Sequence, residues 1–555
     1  MFTRGGENPQ PEWVHGASRP KLRSLQTDTP LTYFERFVTL MMIHHVVKET
    51  NDYAVSPRMA KDVRGDTFRK RKLWTPLVAS ELLAFIGIVI YMGVVKLPSR
   101  DMYWDTRRDL GVQAIKNCMT RDRFSMIARC LHFERYDPNA PKRGEDGYDK
   151  IVCIRRVLEM FRSACMSNWR LGQCVAVDEA MIKMKGLSPL RTYMPNKPVK
   201  YGYKVWCLCC SSTGYLYNFD VYQGKVTKET EVGLGKSVVV RLMSVLYRGC
   251  VVACDRFFNS VALCYELLKH GMFVIGTIMT NRRGLPSGFQ ISKGAAQKTL
   301  TRGTWATWTR STEHGDITAT RWMDNKPVYF LGTYGTGTTP TTLPRMDKGG
   351  SNTHGTRIDV PCPDMVAHYQ GTMGGVDTFD HLRAAYTCRL KMRGKWYHYL
   401  FWWVVESAIV NAYVLYKHNP FLKTITHAHF RLQLALVLMS KCAVSSGRAG
   451  TYEKEHPTRL THKPTLYDLK DPSLTAVPRR NSGTGKEKHN CVVCKAAGIT
   501  SVTSYVCKIC DVYMHPGYCS EHFHSVADWK KHVKADKIFN ARSQKMLETC
   551  KKRKK

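Results

Sequence analysis

The sequence predicts a multidomain α+β protein, on three observations. Its 555 residues are too many for one hydrophobic core, which implies roughly three to five domains of ~100–200 residues each. Periodicity changes from helical to strand-like near Gln173, and the order strand, strand, helix, strand, helix that follows is that of an α/β sheet. A compact Cys/His cluster then stands behind a linker rich in Pro, Gly, Ser and charge.

The elements follow in order. Residues 1–28, rich in Gly, Pro, Ser and charge, are expected to be a disordered arm. Residues 29–172 read as helical, through FERFVTLMMIHHVVKETNDYA, the apolar run ending at Lys96 and RDRFSMIARCLHF. Over 173–281, CVAVDEAMIKM and YKVWCLCCSSTGYLYNFDVYQG read as strands joined by turns, VVVRLMSVLYRG as a helix and CVVACD as an apolar strand ending in an acid. SVALCYELLKHG is a helix closed by a glycine cap. The texture changes at 282–358, where short β-like pieces (TWATWTRS, DITATRWM, KPVYFLGTYG) and the Gly/Thr-rich TYGTGTTPTTLPRMDKGGSNTHG suggest an insertion with a long loop rather than continued sheet. Residues 359–386 return to the α/β domain and 387–470 to helix; 471–488 form the linker, 489–525 the Cys/His module and 526–555 a basic tail.

Charge narrows the function. Lys and Arg number 84 against 45 Asp and Glu, a formal charge of +39, while 43% hydrophobic residues is ordinary for a folded protein. Such an excess seeks a polyanion. Insertion in a membrane is not expected: Leu82–Val95 falls well short of the ~20 residues a spanning helix needs, and the aromatic run from Trp396 is broken by His398, Glu406 and Asn411. Both read as core helices. The N-terminus lacks an apolar leader, so the 20 cysteines are expected to be reduced. KKRKK at the end of the chain reads as a nuclear localisation signal or a non-specific phosphate contact, and RKRK at 69–72 as a weaker candidate.

Against this background the acids stand out. Apolar segments end in Asp178, Asp255 and, after two glycines expected to turn the chain sharply, Asp377; Asp380 lies one helical turn beyond. An acid after a buried strand belongs at the carboxyl edge of an open α/β sheet. Converging carboxylates repel unless a cation lies between them, and Mg²⁺ suits a few carboxylate oxygens shared with water and phosphate. Glu179 faces away from Asp178 on its strand and is given no catalytic role.

Two stretches mix bases and aromatics as DNA contacts do. PNKPVKYGYKVW offers Lys197, Lys200 and Lys204 around Tyr201 and Tyr203; KMRGKWYHYLFWW offers Lys391, Arg393 and Lys395, with Trp402 and Trp403 in the core. Cys207, Cys209 and Cys210 read as buried small residues. In the tail, Cys491, Cys494, Cys507, Cys510, His515, Cys519 and His524 have zinc spacing, and either His489 or His522 completes eight ligands for two Zn²⁺ ions in an interleaved, cross-braced module.

The ordered segments VDEAMIKMKGLSPLRTYMPNKPVKYGYKVWCLC, VVACDRFFNSVALCYELLKHG, NRRGLP and VPCPDMVAHYQGTMGGVDTFDHLRAAY, with KETNDYA and MTRDRFSMIARCLHF upstream, resemble the piggyBac-type transposases over about residues 31–525. The resemblance implies an RNase H-like α/β catalytic core interrupted by a β-rich insertion, a flanking helical domain for dimerisation and DNA binding, and a C-terminal cross-brace zinc module. It implies that Asp178, Asp255 and Asp377 bind two catalytic Mg²⁺ ions, with Asp380 a further acid, and that Trp396 is a wedge or stacking residue. The implied enzyme is a nuclear, homodimeric, Mg²⁺-dependent DNA transposase that nicks transposon ends, forms hairpins and joins at TTAA sites. The alternative is a domesticated, transposase-derived chromatin or DNA-binding protein without catalysis.

Overall fold

The computed structural model describes residues 2–4, 13–21, 25–56, 74–107, 110–135, 137–184, 186–188, 190–195, 197–224, 233–292, 294, 299–347, 357–388, 395–442, 466–468, 489–496, 501–503, 505–507, 512–515, 519–520 and 523. The linker at 471–488, the tail at 526–555 with KKRKK, and RKRK at 69–72 lie outside them. The chain divides into two compact units, Met1–Ser445 and Ser446–Lys555.

Helices of the first unit begin with α1 (Leu40–Ala54), α2 (Ala79–Val94), α3 (Arg121–Cys130) and α4 (Val152–Asn168). Thr39 and Thr120 cap α1 and α3 by accepting from the backbone N–H groups of Met42 and Arg123. The α/β region supplies β1 (Cys174–Lys183), β2 (Tyr201–Cys210), β3 (Leu216–Val221), α5 (Leu234–Met243), β4 (Val251–Cys254), α6 (Val261–Lys269) and β5 (Phe273–Thr277). They form a mixed sheet in the order β3-β2-β1-β4-β5, antiparallel among the first three and parallel from β1 through β4 to β5.

The expected β-rich insertion continues the central sheet rather than standing apart from it. Strands β6 (Trp305–Thr312), β7 (Gly315–Met323) and β8 (Pro327–Gly332) form an antiparallel meander, and β8 joins β5 through Phe330–Thr277 and Gly332–Ile275. β5 would otherwise be an open edge whose unpaired backbone groups need partners. Buried Asn259 fixes the join, donating from Nδ2 to Gly276 O at 3.0 Å and Leu331 O at 2.8 Å. The Gly/Thr-rich stretch is partly ordered too: β9 (Pro340–Met346) pairs with β10 (Arg357–Pro363), and Asp364 accepts from the N–H groups of Thr336 and Gly337 at 3.0 and 2.9 Å. The arm also departs from expectation. Thr3–Arg4 pairs with β6, and Arg19–Pro20 with Trp169–Arg170.

The remaining helices are α7 (Asp364–Thr372), α8 (Gly375–Ala385), α9 (Trp396–Lys417) and α10 (His427–Ser440). α9 is long and apolar enough to cross a membrane by length and composition, yet 94% of that window is buried inside the protein. Its Trp402 and Trp403 are core residues as expected, 7% and 1% exposed. α2 meets α10 at Gly87, where a Cβ would lie 2.8 Å from Leu438 Cβ and 2.9 Å from Ala435 O, so only glycine permits that approach.

Candidate active site and metal centre

β1 and β4 run in parallel with Val177 opposite Cys254, so the next residues, Asp178 and Asp255, are neighbours; Asp255 follows the carboxyl end of β4, whereas Asp178 lies in mid-strand, paired with Cys207 of β2, and not at the strand end expected. Both are half-buried. Each is tethered by a backbone N–H: Glu179 to Asp178 Oδ1 at 2.7 Å and Phe257 to Asp255 Oδ1 at 2.9 Å. Burial pushes Asp178 up to about 6; Lys197 pulls the other way, and the charges of Asp255 and Glu179 add to the rise. Asp255 is raised too, first by burial and then by Glu179. Two carboxylates whose ionisation is resisted by burial and by each other form a donor set with a deficit of positive charge.

α8 carries the other two acids. Gly375 lies against the sheet, where a Cβ would be 3.0 Å from Cys210 O and 3.2 Å from Ala176 Cβ. Gly374 has an ordinary φ of −70°. The glycine pair therefore serves close packing at Gly375 rather than the sharp turn expected. Along this helix Asp377 is exposed and Asp380 half-buried, with Asp380 Oδ1 accepting from Arg383 at 2.7 and 3.0 Å. Burial raises the pKa of the Cys207 thiol far above its usual range, and the charges of Asp380 and Asp178 both add to it. Cys207 is paired with Asp178 across the β1–β2 ladder. Of the two acids of α8, Asp380 is half-buried and bound by Arg383, which also reaches Met181 O on β1, while Asp377 is exposed.

The bases sort by burial. Lys197 and Lys200 lie on the loop between Thr192–Tyr193 and β2, with Lys200 exposed and Lys197 3.5 Å from Glu179. Burial disfavours the Lys197 ammonium, but Asp178, Glu179 and Asp255 outweigh it and raise its pKa. Lys204 departs from the expected DNA role: it is 7% exposed, 2.5 Å from Glu179 and lies over the Trp206 ring at 3.9 Å. Its charge is spent on Glu179, so Glu179 has a local structural part that the sequence reading did not give it. Tyr203 is buried, whereas Tyr201 is 47% exposed and packs on Tyr193 at 4.7 Å. Lys395 Nζ covers the Tyr53 ring at 3.5 Å, and half-buried Trp396 meets Tyr203 and Tyr397 edge-on. Lys391 and Arg393 lie outside the described residues. Cys207, Cys209 and Cys210 are buried, as expected.

In the second unit Cys491, Cys494, His515 and Cys519 bring one donor atom each to within 4.8 Å of one another. Three thiols and an imidazole suit tetrahedral zinc. His515 turns Nδ1 toward Cys494 Sγ at 3.5 Å while its Nε2 meets Ser501 Oγ at 3.3 Å, an outer contact that orients the ring. Cys507 closes a short strand paired with Val512–Tyr513. The side chains of His489 and Cys507, and all of Cys510, His522 and His524, lie outside the described residues.

Residues 29–413 match the family described as Transposase IS4. The human PiggyBac transposable element-derived protein 2 is 29% identical over 413 residues, covering 72% of this chain and 64% of that protein. The human PiggyBac transposable element-derived protein 3 is 30% identical over 396 residues, covering 70% and 61%. The chain therefore spans less than two thirds of either relative. Among solved structures, a piggyBac transposase synaptic complex with hairpin DNA, known from cryo-EM, shares the fold at a TM-score of 0.62 and 24% identity, covering 89% of this chain and 100% of that one.

Proposed function

The chain belongs to the piggyBac-type transposases of the Transposase IS4 family, and on that premise we propose that it is a Mg²⁺-dependent DNA transposase whose RNase H-like core cuts and joins double-stranded DNA. The observation that carries this reading is the Asp178–Asp255 pair, neighbouring and half-buried where β4 ends beside β1, in a chain of charge +39. The pair fits a divalent cation, because Lys197 offsets its charge only in part and both pKa values stay raised.

Asp178 and Asp255, joined from α8 by Asp380 and Asp377, would hold two Mg²⁺ ions. Ions so held supply activation of the attacking water or 3′-hydroxyl and stabilisation of the leaving oxygen in an in-line displacement. The chain's own part is to fix the Asp178 and Asp255 carboxylates by their backbone tethers and to seat the phosphodiester beside them. Lys197, Lys200 and Lys395, with Lys391 and Arg393, take the phosphates, and Trp396 is the stacking candidate. Hairpin intermediates are supported by the hairpin DNA in the solved relative; TTAA targets and a homodimer rest on family membership, and a nuclear location on KKRKK. The Cys/His module would carry two structural Zn²⁺ ions, one of them on Cys491, Cys494, His515 and Cys519.

The test is nicking of matched transposon ends in Mg²⁺. Asp178→Asn and Asp255→Asn are expected to abolish nicking while leaving end binding intact, because an amide is a poor Mg²⁺ ligand of the same shape. Near-normal nicking by either variant removes that residue from the site. The second reading, a transposase-derived DNA-binding protein without catalysis, is favoured by the transposable element-derived human relatives and by the exposure of Asp377. It prevails if the unaltered protein binds ends selectively but cuts them in neither Mg²⁺ nor Mn²⁺.

A further inference from the structure

Asp380 is held by a buried ion pair that spans three elements. Arg383, 7% exposed, donates from Nε and Nη2 to Asp380 Oδ1 at 3.0 and 2.7 Å, from Nη2 to Met181 O on β1 at 3.3 Å, and from Nη1 to Glu406 Oε2 on α9 at 3.0 Å. Glu406, 5% exposed, accepts the Cys388 N–H on its other oxygen at 2.7 Å. Every oxygen of Glu406 is thus engaged, and the guanidinium is shared between an acid inside the core and one at its rim.

Pinning α8 to α9 would require only Arg383 and Glu406. The further reach to Asp380 ties one oxygen and leaves Oδ2 with no hydrogen bond among the described residues. Met181 lies three positions beyond Asp178 on the same strand, so the same guanidinium sets the distance between α8 and the strand that carries Asp178. A planar fork can hold all these partners at once; a lysine ammonium on a flexible stem cannot fix their mutual geometry.

We infer that Arg383 and Glu406 are positioning residues that fix the Asp380 carboxylate by one oxygen, so that its other oxygen joins the cation site of Asp178 and Asp255. This rests on the metal-dependent reading above. Glu406 keeps the guanidinium in place, Arg383 orients the carboxylate, and neither touches the cation.

The experiment is Mn²⁺ binding to the full-length, zinc-loaded protein, followed by electron paramagnetic resonance without DNA. The unaltered protein should bind and Asp178→Asn should not. Glu406→Gln and Arg383→Lys should each weaken binding about 10–100-fold, the range for outer-shell partners of a metal site. Glu406→Gln should add nothing in an Asp380→Asn background, whereas a merely structural residue would weaken both backgrounds alike. If Glu406→Gln does not fold, Arg383→Met combined with Glu406→Leu removes both buried charges at similar volume and should show the same loss. Unchanged affinity in folded Arg383→Lys or in the double variant, or in Asp380→Asn itself, overturns the inference. Failure of the unaltered protein to bind Mn²⁺, or binding undiminished in Asp178→Asn, overturns the metal-site reading instead.

Discussion

Asp178 is held against its own ionisation, and that has a measurable price in stability. Its folded-state pKa of about 6 lies above the ordinary 3.8, so the folded protein keeps a proton that the unfolded chain has lost. Stability therefore falls as pH rises from about 4 to 6, and the full cost, on the order of 2–3 kcal/mol, stands above that window. Without divalent cations Asp178→Asn should melt higher than the unaltered protein at pH 7.5, with the gain gone at pH 4. Thermal melts across that range check it, and a lower melting point at pH 7.5 would mean that the carboxylate is stabilised as an anion. All four acids were legible in the sequence because each follows a glycine pair, a strand or a helical turn. Their burial was not, since how far Asp377 and Asp380 are covered depends on how α8 rolls against Ala176 and Cys210. Lys204 misled for a similar reason: the Trp206 ring that covers it is two positions away, but Phe257, 4.8 Å off, comes from a distant turn.

Among the elements, the helices, the five central strands and the three strands β6–β8 could be read from the residue pattern, but the continuation of the sheet through β6–β8 could not. These three strands look the same whether they stand alone or extend a sheet, and the difference lies in the pairing of β8 with β5, a contact between segments more than 50 positions apart. The long helix α9 was legible as core, although its polar residues looked like interruptions. They are instead committed: Asn411 bonds both the N–H and the carbonyl of Leu216 at 2.9 and 2.8 Å, and His398 Nε2 donates to Leu131 O at 2.9 Å. Burial lowers His398 from 6.5 to about 4, with Leu131 O opposing and Lys395 assisting. A depressed histidine contributes stability that is complete above 6.5 and is lost as pH falls toward 4. His398→Gln, which keeps a donor for Leu131 O, should flatten the fall in melting temperature over that window. A slope identical to that of the unaltered protein would show that other groups set the acid limit.

Across the whole chain, two units with different sources of stability are expected to come apart in two ways. The first has an extensive apolar core and no Cys/His donor cluster among its described residues, whereas the second gathers the donor atoms of Cys491, Cys494, His515 and Cys519 within 4.8 Å of one another. A strong zinc chelator should therefore abolish the protected amide signals of residues 489–523 in hydrogen exchange and leave the melting of the first unit unchanged. Protection that survives the chelator would mean that the module folds by its own packing. One feature of the first unit reaches beyond equilibrium. Arg383 and Glu406 close contacts back to β1, and Thr3–Arg4 pairs with β6, so the polypeptide must be mostly synthesised before either can form. At ~5–20 residues per second, tens of seconds separate the emergence of Asp178 from that of Glu406. Throughout that interval the nascent chain carries its excess of positive charge on the ribosome while the ties of Arg383 to β1 and α9 have yet to form. The distance in sequence between Asp178 and Glu406 is thus also a delay in tying α8 and α9 to the central sheet.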